Sequence, residues 1–213
     1  MQLAGTQSWR MACDEPRLLV LALYVRDAAG LDAAADPPVA RLQPAVAGAG
    51  DAAPEAAAAQ WTAWWSHLVA REPAVQRGVE DAGGGMESLR ILADHHRGFG
   101  PPGFEALRDS PELAELVSRH FAAAQAWSEE RTREFFQRTV DPTRAHVEAE
   151  VVREAEWLLG RRARPFRLQV SILPVAGHGS WRVAEDHVLV TRSRYFDVEA
   201  WRSELALVVT GLA

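Results

Sequence analysis

The spacing of inward-facing residues changes at Gly160, and that change limits the fold more than any other feature of the chain. Before it, such positions recur at helical intervals: Leu113, Val117, His120, Ala124 and Trp127 in one segment, Val147, Val151, Ala155 and Leu158 in the next. After it, PFRLQVSILPV at 165–175 sets Phe166, Leu168, Val170 and Ile172 against Arg167, Gln169 and Ser171, the period of a half-buried strand. A second strand is expected over 186–192 (DHVLVTR), joined through a hairpin-like AGHGS link. Asp197 then caps a last helix with Val198, Trp201, Leu205, Val208 and Leu212 on one face. The fold class is therefore α+β: a mainly helical body of four to five helices over 17–160, and a β-β-α tail over 161–213 packed on it as one domain. Residues 1–16 read as a disordered extension.

Within the body, RLLVLALYVRDAAG at 17–30 is apolar on every side and reads as a buried helix that stops at Gly30. A Pro/Gly/Ala loop follows over 31–53. The next helix should begin near Pro54 and run to about Arg71, with Trp61, Trp64, Trp65 and Leu68 on one face. A short helix from Met86 to His96 would turn Leu89, Leu92, Ala93 and His96 inward. Ser110-Pro111 and Asp141-Pro142 each combine a capping side chain with a proline where no N–H partner is needed. They start two long helices, expected to pair antiparallel, the second ending at Gly160.

At 213 residues the chain can bury a core without disulfide or metal staples. Its 23 basic residues are all Arg, so Schiff-base, P-loop lysine and Ser-Lys chemistries are excluded. The net charge of -6 is uneven: 15 Arg against 24 acids give -9 over 1–159, and 8 against 5 give +3 over 160–213. That acidity speaks against general nucleic-acid binding. Cys13 is the only cysteine, so no intrachain disulfide forms; flanked by Asp14 and Glu15, it is a poor nucleophile. The apolar run 18–25 is too short to span a bilayer and lacks the flanks of a signal peptide. A cytoplasmic protein without membrane attachment is expected.

The segment DHHRGFGPPG, 94–103, is the most suggestive for chemistry. Neighbouring residues on a helix point about 100° apart, so His95 and His96 cannot ligate one metal together. In a last helical turn both suit the negative end of the helix dipole, and Gly98 supplies the stop. His96 is the candidate general base of a small enzyme, with Asp94 or Arg97 assisting. His146, Glu150 and Glu154 form a helical stripe without the Glu-x-x-His pairs of bundle metal sites, and no metal or cofactor is expected. His120 reads as a core histidine. GHGS at 177–180 lacks the nucleophile-elbow pattern. Arginines crowd 161–167 and 192–194, and Arg167, Arg192 and Arg194 are the candidate clamp for a carboxylate or phosphate.

The last 32 residues, RVAEDHVLVTRSRYFDVEAWRSELALVVTGLA, resemble the strand and capped helix that lead into the H-E-x-x-H motif of zincin metallopeptidases. Leu207 and Gly211 stand at the two histidine positions and Val208 at the glutamate, so the resemblance implies a relative with neither zinc nor peptidase activity. The chain as a whole resembles small uncharacterised proteins of high-GC actinobacteria, which implies no particular activity. The leading expectation is a non-catalytic module that binds another protein or a small anionic ligand through the basic tail and the Trp-rich helix. The alternatives are the His96 enzyme and a structural subunit that oligomerises through an exposed apolar patch.

Overall fold

The computed structural model describes residues 2–5, 9–48, 54–101, 103–139 and 146–212, the first four by their backbone alone. The elements are β1 (Gln2–Gly5), β2 (Trp9–Asp14), α1 (Arg17–Ala28), α2 (Ala57–Asp81), α3 (Gly85–Arg97), a 3-10 turn (Glu105–Leu107), α4 (Pro111–Thr139), α5 (Val147–Leu159), β3 (Phe166–Leu173), β4 (Ser180–Ala184), β5 (His187–Thr191), α6 (Arg192–Phe196) and α7 (Val198–Leu212). The class is α+β. The start signal at Asp141-Pro142 lies outside the described residues, as do 49–53 of the first loop. No helix among the described residues is long and apolar enough to cross a membrane.

Contacts divide the chain into two units, Met1–Pro16 with Glu130–Ala213, and Arg17–Glu129. The sequence places its boundary at 160/161 instead, because local spacing cannot show that the first strands, the end of α4 and all of α5 belong with the tail.

The first unit is built on a five-stranded sheet of order β1-β2-β3-β5-β4. β2 pairs parallel with β3 from Trp9↔Phe166 to Asp14↔Ser171, and β3 pairs parallel with β5 from Gln169↔His187 to Leu173↔Thr191. β1 and β4 close the two edges antiparallel. Three expectations change here. Trp9–Asp14 is an interior strand and not part of a disordered extension; its partner lies more than 150 residues away, beyond the reach of any local pattern. β3 is buried on both faces, with Gln169 and Ser171 buried as well as Val170, as an interior strand with parallel neighbours must be. The AGHGS link is no hairpin turn, since β4 pairs with β5: the link carries the chain past to the edge, and β5 returns between.

One face of this sheet, with Met11, Leu168, Val170, Ile172, Val188 and Val190, shares its core with Val151 and Val152 of α5, Tyr195 of α6 and Trp201 and Leu205 of α7. α5 lies along α7 and not, as expected, in a pair with α4. Arg202 of α7 donates to Glu150 at 2.6 Å and to Glu154, and Trp201 Nε1 donates to Glu148 at 3.2 Å. The stripe with Glu150 and Glu154 is thus a clasp between helices. Gly160 ends α5 with φ 64°, a left-handed cap that favours glycine. Leu158, expected inward, is exposed, as is Trp157 (82%).

The second unit is helical. The Trp61 and Trp65 rings of α2 stack at 5.7 Å, and their indole N–H groups donate to Ala22 O at 2.7 Å and Asp36 O at 3.1 Å. α2 continues through Pro73 to Asp81 and does not stop at Arg71, because Val69, Glu72, Val75 and Gln76 prolong its buried face past the one backbone bond that proline forfeits. Buried Arg26 donates to Val39 O at 3.0 Å and to Ala40 O at 2.6 Å, tying down a loop that composition alone leaves unconstrained. In α3 the buried positions are Ser88 and His95, while Leu89 is exposed. The inward stripe is therefore rotated from the expected one, and His95 belongs to it.

Met11→Ala should destabilise the protein by about 2–5 kcal/mol, the cost of a cavity in a packed core. Urea unfolding followed by circular dichroism measures it; a change below about 0.5 kcal/mol is what a disordered extension would give.

Candidate functional site

Gly98 brings the C-terminal end of α3 against the 3-10 turn: a Cβ there would meet Ala106 Cβ at 2.8 Å. This close approach needs glycine, and it sets Phe99 between two cavities of the helical unit, each of which it lines. The two adjacent histidines diverge accordingly. His96 lines a pocket of about 130 Å³ walled by Leu18 and Leu21 of α1 and by Phe121 and Ala124 of α4, with Arg17, Gln125, Ser128 and Glu129 as its other polar groups. His95 lines a larger cavity of about 470 Å³ together with Trp64, His67, Arg71 and Asp94.

Both imidazoles are held neutral near pH 7. Burial pushes His95 down to about 4, helped by the electrostatic repulsion that its protonated form would meet from His96, Arg71 and His67. The Glu72 carboxylate stands 3.8 Å from His95 Nε2, beyond hydrogen-bonding range. His96 is also lowered, by burial first and Arg17 second. The grouping of Asp94 and Arg97 with His96 is not what the structure shows. Asp94 lines the other cavity, and it pairs with Arg97 at 2.8 Å and with Arg90 at 3.9 Å, all three near the surface.

The arginine clamp is likewise taken apart. Arg192 turns into the sheet unit, where Nη2 donates to Glu15 Oε2 at 2.7 Å, Nε donates to Glu15 Oε1, and Nη2 also donates to Arg131 O. Burial pushes the Glu15 carboxyl up, and the Arg192 guanidinium opposes that push. Arg194 Nη2 donates to Glu204 at 3.1 Å, and Nη1 lies 3.4 Å from His178 Nδ1. Arg167 is exposed on β3, opposite Arg10 of β2. Internal carboxylates thus take up Arg192 and Arg194, and Arg167 stands apart from both.

One Ser/His pair escaped the sequence reading. Ser171 Oγ lies 2.9 Å from His187 Nε2, and both residues are completely buried. The pairing of Gln169 with His187 sets them together, a register that no local motif encodes. Closed to solvent, they form an internal hydrogen bond and no nucleophilic site. His178 lies 3.3 Å from Asp197 in the loop before β4. His120 is partly buried, with its pKa lowered by burial and then Arg119. Among the described residues no group of three or more His, Cys, Asp or Glu is arranged to hold a metal ion.

Comparison with protein-family models, with curated proteins and with solved structures finds no match. What the chain does must therefore be argued from its own geometry.

Two outcomes follow from these placements. Arg192→Leu should cost about 3–5 kcal/mol by stranding a buried carboxylate, whereas Glu15→Leu with Arg192→Leu should cost markedly less; a double-mutant cycle by urea unfolding reads the difference. The folded chain binds a proton at His95 less readily than the unfolded chain does. This contribution is therefore intact above pH 6.5 and lost as pH falls towards 4. The decline should amount to about 3 kcal/mol by pH 4, and His95→Gln should flatten it in urea midpoints taken at intervals between pH 7 and 4.

Proposed function

We propose that the Arg17–Glu129 unit is a non-catalytic small-molecule-binding module, and that its ligand has a ring-sized apolar body with one polar end. The observation that carries this reading is a neutral, partly buried imidazole, His96, on the wall of a pocket whose apolar side is formed by Leu18, Leu21, Phe99, Phe121 and Ala124. Such a pocket with a few convergent polar groups and a perturbed histidine is the usual form of a small-molecule site. Its volume is close to that of an engineered cavity of roughly 150 Å³ that holds benzene. Leu18, Leu21, Phe99 and Phe121 offer dispersion contacts to a ring, neutral His96 accepts a hydrogen bond, and Arg17 donates to an oxygen. A ligand hydroxyl or acid group answers both.

The geometry favours binding over catalysis. A histidine base works when a third group fixes its tautomer and aims it, and the carboxylate assigned that part, Asp94, belongs to a different cavity and a different partner. Partner docking through the Trp-rich helix draws less support, because Trp61, Trp64 and Trp65 are all buried.

Phenol serves as the probe. Titrated into the full chain, it should shift the amide resonances of residues 96–99 and 121–128 saturably, with a dissociation constant in the millimolar range expected of about seven heavy atoms. His96→Leu should weaken it roughly five- to tenfold, the loss of one hydrogen bond. Absence of saturable shifts at these residues up to tens of millimolar phenol would overturn the reading.

A further inference from the structure

On the His95 side of α3, we infer a second and separate site: the cavity of about 470 Å³ binds a small oxyanion, a carboxylate or a phosphate monoester, through Trp64, His95 and Arg71. The inference starts from three indoles on one helix. Trp61 and Trp65 each give their N–H to a backbone carbonyl. Trp64 is buried too (5% exposed), yet its Nε1 has no hydrogen-bond partner among the described residues. The same holds for both ring nitrogens of His95, which is 8% exposed. A buried donor or acceptor left unpaired costs about 1–3 kcal/mol, and a native structure rarely carries three such atoms together, here two donors and one acceptor, without a water, ion or ligand to answer them. All three belong to side chains that wall one cavity.

The unmet atoms specify the ligand. An indole N–H is only a donor, so what meets it must accept. Neutral His95 has a second N–H to give. On the same face of α2 as Trp64, three and seven residues on, His67 and Arg71 stand exposed at the cavity, and Arg71 adds positive charge and a guanidinium fork suited to carboxylate or phosphate oxygens. The single acid on the lining, Asp94, already has Arg97 and Arg90 against it. A cation would find no unanswered charge here, and an uncharged apolar ligand would leave the indole and imidazole unmet. The volume leaves room for an organic body beyond the anion itself. Glu72, 3.8 Å from Nε2 on the side of α2, can take the second N–H if the anion draws a proton onto His95.

The test follows the tryptophan indole N–H resonances of the full chain in nitrogen-resolved NMR, with sodium phosphate and sodium acetate as probes and sodium chloride at matched ionic strength as control. The Trp64 signal, assigned through Trp64→Phe or by sequential assignment, should move saturably with phosphate, acetate or both, at a dissociation constant of about 10 mM or tighter. Phosphate alone would mark a phosphate monoester site and acetate alone a carboxylate site. Arg71→Leu, a change at an exposed position, should weaken the effective anion at least tenfold while leaving phenol binding at the His96 pocket unaltered. The inference fails if chloride moves the signal as far as either probe, if neither gives saturation by 50 mM, or if Arg71→Leu binds as well as the parent chain.

Discussion

The parallel pairing of Trp9–Asp14 with Phe166–Ser171 is the constraint on which the sheet unit depends. It makes β3 an interior strand, and from that follow the burial of both its faces, the displacement of β4 to the edge and the return of β5 between them. Polar side chains secure the pairing at the carboxyl ends of the strands. Gln169 Nε2 donates to Asp14 at 2.9 Å, and the next residue, Glu15, takes the fork of Arg192 where β5 gives way to α6. The energetic weight of that ion pair lies in its completeness. Each charge is expensive to bury alone, with Glu15 3% and Arg192 13% exposed, so the two are retained or lost together. Forming this sheet requires closure of a loop of about 150 residues, which costs entropy before any strand contact repays it. The helical unit Arg17–Glu129 lies within that loop in sequence.

In the helical unit the corresponding constraint is much smaller: the missing Cβ of Gly98. It lets α3 end against Ala106 and places Phe99 between two cavities, so that the rotation of about 100° per residue sends His95 into one and His96 into the other. Sequence reading used that rotation to exclude a shared metal. The same rotation has a constructive consequence, since two adjacent histidines can serve two ligands of different chemistry without competing. Phe99 stacks on Trp64 at 5.9 Å, so the wall between the cavities is aromatic and closely packed.

What was legible in the sequence was whatever depends on near neighbours. The stop at Gly160, the start at Pro111 and the capped final helix are short-range chemistry, and these helix ends, which are local hydrogen-bonding problems, appear close to where the sequence puts them, whereas the end of α2 at Asp81 is set by packing and lies beyond Arg71. Two kinds of error have physical causes. Trp9–Asp14 and the true neighbours of β3 are long-range facts, and a strand of six residues carries too little pattern to announce them. The inward face of α3 differs from the expected one because its apolar side chains Leu89 and Ala93 are exposed, while the positions that pack are Ser88 and His95, polar residues that periodicity counts as outward. Within the candidate sites, the sequence points to His96, whereas Trp64, His95 and Arg71 come together as a group only in the fold.

The arginines show why. Crowding along the chain drew attention to Arg192 and Arg194, yet crowding reports only composition, and in the fold Glu15 and Glu204 take up both guanidinium groups. Arg71 has no basic neighbours in sequence, but it borders a cavity whose walls hold unpaired nitrogens. Binding capacity follows from valence left unmet after folding, because a donor already paired must break that pair before it can serve a ligand, and the exchange returns little free energy. By this criterion the number of arginines in a segment says little about recognition, whereas orphan nitrogens on the walls of one cavity, with a guanidinium at its edge, mark where a ligand oxygen has something to gain.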